Sequence, residues 1–219
     1  MITPAAWYFR MVQRICILAP VKALGTMAFM ALFFWGYFSV LHHPLSTPVV
    51  MPLLRLDELI PFTPAAYPVY VSLWVYVSLP PALFGNLRAL LLFCAWIAAM
   101  CTFCLGIFWC FPTLVPIAPI DWNAYPQMVT IKNLDAAGNA FPSLHVASAV
   151  FSGLWLDRLF RHIGVPVILR FLNVLECALI LWSTIAIRQH VVLDVVGGTI
   201  VGVVFACVSL RFVSRRTHL

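Results

Sequence analysis

Two short runs carry side chains that could do chemistry on an anion. Asn139-Ala140-Phe141-Pro142-Ser143-Leu144-His145 opens one apolar segment, and Arg188-Gln189-His190-Val191-Val192-Leu193-Asp194 opens another. Pro142 suits the first turn of a helix, where its missing N–H costs nothing. The backbone N–H groups of residues 143–145 would then point outward with the helix dipole behind them, a ready anion site. The Ser143 hydroxyl and the His145 imidazole would point into it, while Asn139 either caps the helix or lines the site. In the second run His190 and Asp194 are four residues apart, so on a helix they share one face. The carboxylate can accept a hydrogen bond from Nδ1–H of His190. That fixes the tautomer, leaves Nε2 unprotonated and stabilises the imidazolium formed on attack. Such a pair is equipped for nucleophilic attack on a bound anion.

The elements that must position these runs are membrane spans. The chain has 219 residues, 63% apolar and only 9% charged, with a mean hydropathy of +1.01. A soluble domain carries roughly 25% charged residues, so most of this surface must face lipid. A bilayer core needs about 20 apolar residues per helix. The candidate spans are 22–41, 66–84, 88–111, 143–160, 166–187 and 191–212. They predict an all-α, integral membrane six-helix bundle, preceded by an amphipathic segment over residues 1–21. Residues 22–219 form one domain, and the apolar run after Lys22 reads as a retained anchor. The links at 161–165 and 188–190 are short, which makes the last three spans antiparallel neighbours.

Charge sets the expected orientation. Ten of the thirteen Lys and Arg residues fall on one face, and only Arg55, Lys132 and Arg188 fall on the other. Both termini are therefore expected in the cytoplasm, with loops 42–65, 112–142 and 188–190 in the opposite compartment. Both chemical runs map to that far side, which gives Arg188 and Lys132 a task there. The loop 112–142 is long, Pro-rich and adjacent to the anion site, so it is expected to cover it as a lid. Arg55, Asp57 and Glu58 read as a solvated loop cluster, and Trp109, Trp122 and Tyr125 as interface anchors. Asp194 is ionisable within a span, where such residues face the bundle interior and usually have a partner. Glu176 lies mid-span, either paired with a polar group or protonated. Gly197, Gly198 and Gly202 imply close packing of the last span.

Basic residues at segment ends suit membrane orientation better than nucleic-acid binding, although the net charge is +6. Cys101 and Cys104 read as buried apolar side chains. No carboxylate cluster or Cys/His set has metal-ligand spacing, and no cofactor is expected. The absence of an N-x-S/T sequon on the far side points to a bacterial inner membrane, with the site facing the periplasm.

The two runs also resemble a known family. F-P-S-L-H followed by Q-H-x-x-x-D-x-x-x-G is similar to the second and third signature motifs of the type 2 phosphatidic acid phosphatase superfamily. These are six-helix, metal-independent lipid phosphatases and phosphotransferases, and the motif wording is closer to the inositol phosphorylceramide synthase-like branch. The resemblance implies that His190 is the nucleophile of a phospho-histidine intermediate and that Asp194 orients it. It implies that His145 is the general acid and then the general base, and that Ser143 and nearby amides hold the non-bridging oxygens. Two features depart from the family pattern. Thr184 stands where the third motif has arginine, leaving Arg188 as the nearest candidate, and the first motif is absent, leaving Lys132 to supply charge. The implied substrate is a lipid phosphate or pyrophosphate. Transfer to an alcohol acceptor, or a non-catalytic relative, stay open beside hydrolysis, and the oligomeric state is not legible.

Overall fold

The computed structural model describes residues 5–129 and 138–216, and Lys132 lies outside the described residues. The chain is 75% helical, so the all-α expectation holds. Helices α1 (Ala5–Cys16) and α2 (Ala19–His42) are followed by the short α3 (Arg55–Leu59). Then come α4 (Tyr67–Tyr76), α5 (Leu79–Ala82) and α6 (Leu87–Cys110). The chain closes with α7 (Leu144–Ile163), α8 (Val167–Ala186) and α9 (Val192–Arg216). Four described stretches are long and apolar enough to cross a membrane: Ala19–His42, Leu87–Cys110, Val167–Ala186 and Val192–Phe212. The protein is an integral membrane protein.

Two of the expected spans are of another kind. The second is broken into α4 and α5. Pro80 and Pro81 have no N–H to donate to the carbonyls four residues back, so an unbroken helix cannot pass through them. Before them the helix tightens, with the Ser78 N–H donating to the Val75 carbonyl. The fourth, α7, carries Asp157, Arg158 and Arg161, and other helices sheathe it. Thirteen of its twenty residues are buried, which makes it the axis of the bundle.

Apolar side chains gain little by leaving lipid for protein, so packing and hydrogen bonds must hold such helices together. Phe84, Phe93, Phe151 and Trp155 interlock around α7 with ring centroids 5.4–5.6 Å apart along the main contacts. Trp155 Nε1–H donates to Ser209 Oγ at 2.9 Å, tying α7 to α9. The Tyr76 hydroxyl donates to Asn173 Oδ1 at 2.7 Å, and Asn173 Nδ2–H donates to the Gly153 carbonyl at 3.0 Å. That chain joins α4, α8 and α7. Ser72 donates to Glu176 Oε1 at 2.6 Å, giving Glu176 a polar partner between α4 and α8.

Glycines set the closest approach. A Cβ on Gly198 would lie 2.3 Å from the Ser143 carbonyl oxygen, and one on Gly202 would lie 2.6 Å from that of Ala147. The α9 backbone therefore lies directly on the first turns of α7, as the glycine spacing predicts.

The loops at the site end are tied together as well. β1 (Val49–Val50) pairs in parallel with β2 (Thr113–Leu114). Thr113 then grips the second loop's far end: its carbonyl accepts from the Ala140 N–H at 3.3 Å, and its Oγ1 from the Phe141 N–H at 2.8 Å. At the opposite end the Lys22 ammonium donates to the carbonyls of Arg14 and Ala82, at 2.6 and 2.8 Å. A cation there suits the C-termini of α1 and α5.

Candidate active site

Both chemical runs lie at one end of the bundle, at the N-termini of α7 and α9. Ser143 is the N-cap of α7, its Oγ accepting from the Val146 N–H at 3.2 Å, and Pro142 precedes the cap instead of occupying the first turn. The Ser143 N–H donates to the Asp194 carbonyl at 3.0 Å, so it is spent on joining the two helices. Of the three amides expected to face an anion, those of Leu144 and His145 remain for that purpose.

The second run begins where α8 ends in a Schellman motif. The Gln189 N–H donates to the Thr184 carbonyl and the Arg188 N–H to that of Ile185, both at 2.9 Å, with Arg188 at φ 59°. Glycine is the usual residue at this left-handed position; a side chain there costs about 1 kcal/mol. The turn reverses the chain and places His190 just ahead of α9, not on it. His190 and Asp194 meet all the same. Nδ1 of His190 lies 3.4 Å from Asp194 Oδ2, within ion-pair reach though misaligned for a hydrogen bond. Asp194 is fully buried, and its Oδ2 also accepts from the Val191 N–H at 3.0 Å.

His145 occupies the first turn of α7. Its ring stacks on Tyr70 of α4, with centroids 4.1 Å apart and planes 11° apart. A hydrogen bond joins the ring to the Tyr70 backbone, and Nε2 is buried without a partner. His190 Nδ1 and Asp194 Oδ1 are likewise buried and unpartnered. Buried polar atoms are seldom left so, and three of them in one place mark a candidate functional site.

The two imidazoles line one cavity of about 380 Å³. Asn139, at φ 51°, lines it too, and its Nδ2–H donates to the Tyr37 carbonyl at 3.4 Å. Apart from Ser148 of α7, the remaining wall is apolar, from Phe29, Phe33, Phe34 and Tyr37 of α2, Leu73 and Trp74 of α4, and Ile97 and Cys101 of α6. Among the sequence-predicted residues, His145, His190, Asp194 and Asn139 are brought together. Ser143 serves as a cap, and the Arg188 guanidinium donates to the carbonyls of Asp57 and Ile60, each at 2.8 Å.

Two residues escape the sequence reading. Tyr70 sits in a continuous apolar run with nothing to mark it. Asp57 is not solvated: it is 1% exposed, while Arg55 and Glu58 beside it are exposed. Trp122 and Tyr125, read as interface anchors, pack edge-on against Phe62, with centroids 5.7 and 5.3 Å away. The two loops thus share a small core beside Tyr70 and Ile187. Among the described residues no group of three or more His, Cys, Asp or Glu side chains could hold a metal.

No curated protein and no solved structure matches the chain. The PAP2 superfamily model matches residues 24–218, a stretch that contains both motifs and every helix from α3 to α9. The chain belongs to the PAP2 superfamily, whose members are phosphatases and phosphotransferases acting on phosphate esters.

Proposed function

We propose that this protein is a membrane lipid phosphatase that hydrolyses a lipid phosphate or pyrophosphate through a phospho-His190 intermediate. The observation that carries the reading is the composition of the cavity: two imidazoles at one end and an aromatic, aliphatic wall from α2, α4 and α6 along the rest. A water-soluble phosphate ester has no use for such a wall. An amphipathic one lays its chain there and brings its headgroup to the histidines.

His190 Nε2 attacks phosphorus, and the bond from phosphorus to the leaving oxygen breaks. Protonated His145 gives its proton to the departing alkoxide or phosphate. Water then attacks the phospho-histidine, passing a proton to His145, and the P–N bond breaks to release inorganic phosphate and His190. Asp194 keeps the proton on Nδ1 and stabilises the charge that forms there. Phosphoryl transfer needs chiefly positioning and charge neutralisation. The Leu144 and His145 amides and Asn139 face the non-bridging oxygens. Ser143 adds a hydroxyl proton while its oxygen caps the helix, and Arg188 adds positive charge two residues before His190.

In the same reading six units cross the membrane: α2, the α4–α5 pair, α6, α7, α8 and α9. The excess of basic residues at the opposite end supports cytoplasmic termini and a site facing the periplasm of a bacterial inner membrane. The test is a set of labelled lipid phosphates offered to the purified protein. Free phosphate without an acceptor supports hydrolysis, label only in a second lipid means transfer, and no turnover of any kind means a non-catalytic relative. Turnover by a folded His190→Ala protein would remove the nucleophile from the scheme.

A further inference from the structure

Asp57 lies far from both motifs in sequence, and its two carboxylate oxygens are both engaged. Oδ2 accepts from the Leu54 N–H at 2.8 Å, and Oδ1 accepts from the Val192 N–H at 2.7 Å across 135 residues of chain. Its own carbonyl receives the Arg188 guanidinium. Asp57 is thus bonded on both sides of His190, two residues before it through Arg188 and two residues after it through Val192. The side chain is 1% exposed, and a buried charge is retained only where hydrogen bonds compensate it.

The first turn of α9 explains why this matters for the reaction. A helix N-terminus presents amides with no intrahelical acceptor. Here two carboxylates share them: Asp194 takes the Val191 N–H and Asp57 takes the Val192 N–H. Asp194 has a second competing task, since its Oδ2 faces His190 Nδ1 at 3.4 Å while its Oδ1 has no partner. Without Asp57 the partly buried Val192 amide loses its acceptor, and the link that holds the first turn of α9 across 135 residues of chain is cut. That turn carries Asp194, and its shift takes the carboxylate away from the imidazole.

We infer that Asp57 is a positioning residue for the His190–Asp194 pair: it occupies the Val192 amide and clasps segment 188–192, so that Asp194 stays turned to His190. This rests on the reading of His190 as the nucleophile. The role is distinct from general stability because it acts on the rate of phosphoryl-enzyme formation per folded molecule, not on the number of folded molecules.

The experiment compares wild type, Asp57→Ala, Asp57→Asn, Val192→Pro and the exposed neighbour Glu58→Gln, in detergent, with a lipid phosphate that the wild type turns over. Each is assayed for kcat, KM and the single-turnover rate of phosphoryl-enzyme formation, with the folded fraction read from the unfolding transition. Val192→Pro removes the amide itself at the first helical position, where proline is tolerated, and so cuts the link without touching Asp57. Asp57→Ala and Val192→Pro should lower kcat and the single-turnover rate about 100-fold, with KM and the folded fraction close to wild type. Asp57→Asn keeps an acceptor for Val192 and should recover most of the loss, and Glu58→Gln should match wild type. If Asp57→Ala fails to fold, Val192→Pro alone decides. Wild-type kcat in folded Asp57→Ala or Val192→Pro overturns the inference, as does a loss of rate wholly matched by a lost folded fraction. His190→Ala is run alongside: activity there would discard the nucleophile assignment and this inference together, whereas an inactive His190→Ala leaves the Asp57 result to be judged by itself.

Discussion

Gly198→Ala puts a methyl group 2.3 Å from the Ser143 carbonyl oxygen, where ordinary contact begins near 3.4 Å. The obstacle is backbone on the first turn of α7, so no side chain can swing aside, and α7 and α9 must part locally by about 1 Å. Overpacking of this kind costs about 1–3 kcal/mol, while replacing a mid-helix glycine by alanine returns up to about 1 kcal/mol. The net loss of stability is then about 0–2 kcal/mol, or a fall of a few degrees in thermal midpoint for a chain of this size. Activity should suffer far more. The same contact sets the distance between His145 on α7 and His190 ahead of α9, and a displacement of about 1 Å costs about 100-fold in kcat, near 2.7 kcal/mol of barrier. Phosphate release in micelles and the unfolding midpoint are measured side by side. Gly25→Ala is the control: nothing lies within 4 Å of its added Cβ, so rate should hold and the midpoint should rise slightly. A Gly198→Ala protein with wild-type kcat would refute the idea that this approach of two backbones aligns the imidazoles.

Three further outcomes are expected. His145→Ala should slow cleavage of an alkyl phosphate about 10³-fold but cost much less with an aryl phosphate, whose leaving group needs no proton; equal losses with both would deny His145 the role of acid. Asn173→Ala removes one acceptor and one donor from the buried Tyr76–Asn173–Gly153 chain and should lower stability by about 1–3 kcal/mol with kcat per folded molecule unchanged, as thermal unfolding and active-site titration would report. EDTA should leave turnover intact, since the scheme routes every step through imidazoles and backbone amides. Inhibition reversed by Mg²⁺ would require a different scheme.

Much of this architecture could be read from the chain, for a physical reason. The spans expected at 22–41, 88–111 and 166–187 appear as Ala19–His42, Leu87–Cys110 and Val167–Ala186, because apolar runs long enough for a bilayer leave little ambiguity about where they stop. Hydropathy says nothing of hydrogen bonding, however, and it runs straight through the break ahead of Pro80-Pro81. The meeting of His145, His190 and Asp194 at one end of the bundle was legible, since both runs open apolar segments on the same side. The pairing of His190 with Asp194 survives even though His190 precedes the helix that was to carry it. Asp57 and Tyr70 were not legible. Nothing near Asp57 announces an amide 135 residues away, and a tyrosine among apolar neighbours looks like any other until a ring is found against it.

One loop, residues 43–66, has its hand on both halves of the candidate site. Through β1 and β2 it reaches Thr113, which holds the residues just before Ser143, and through Asp57 it reaches the amide just after His190. Its outer side chains, among them Leu45, Val49, Leu53 and Leu59, stand exposed. An antibody fragment gripping that outer surface would therefore act as a remote brake, disturbing two histidines at the starts of different helices in a single stroke without ever entering the chamber between them.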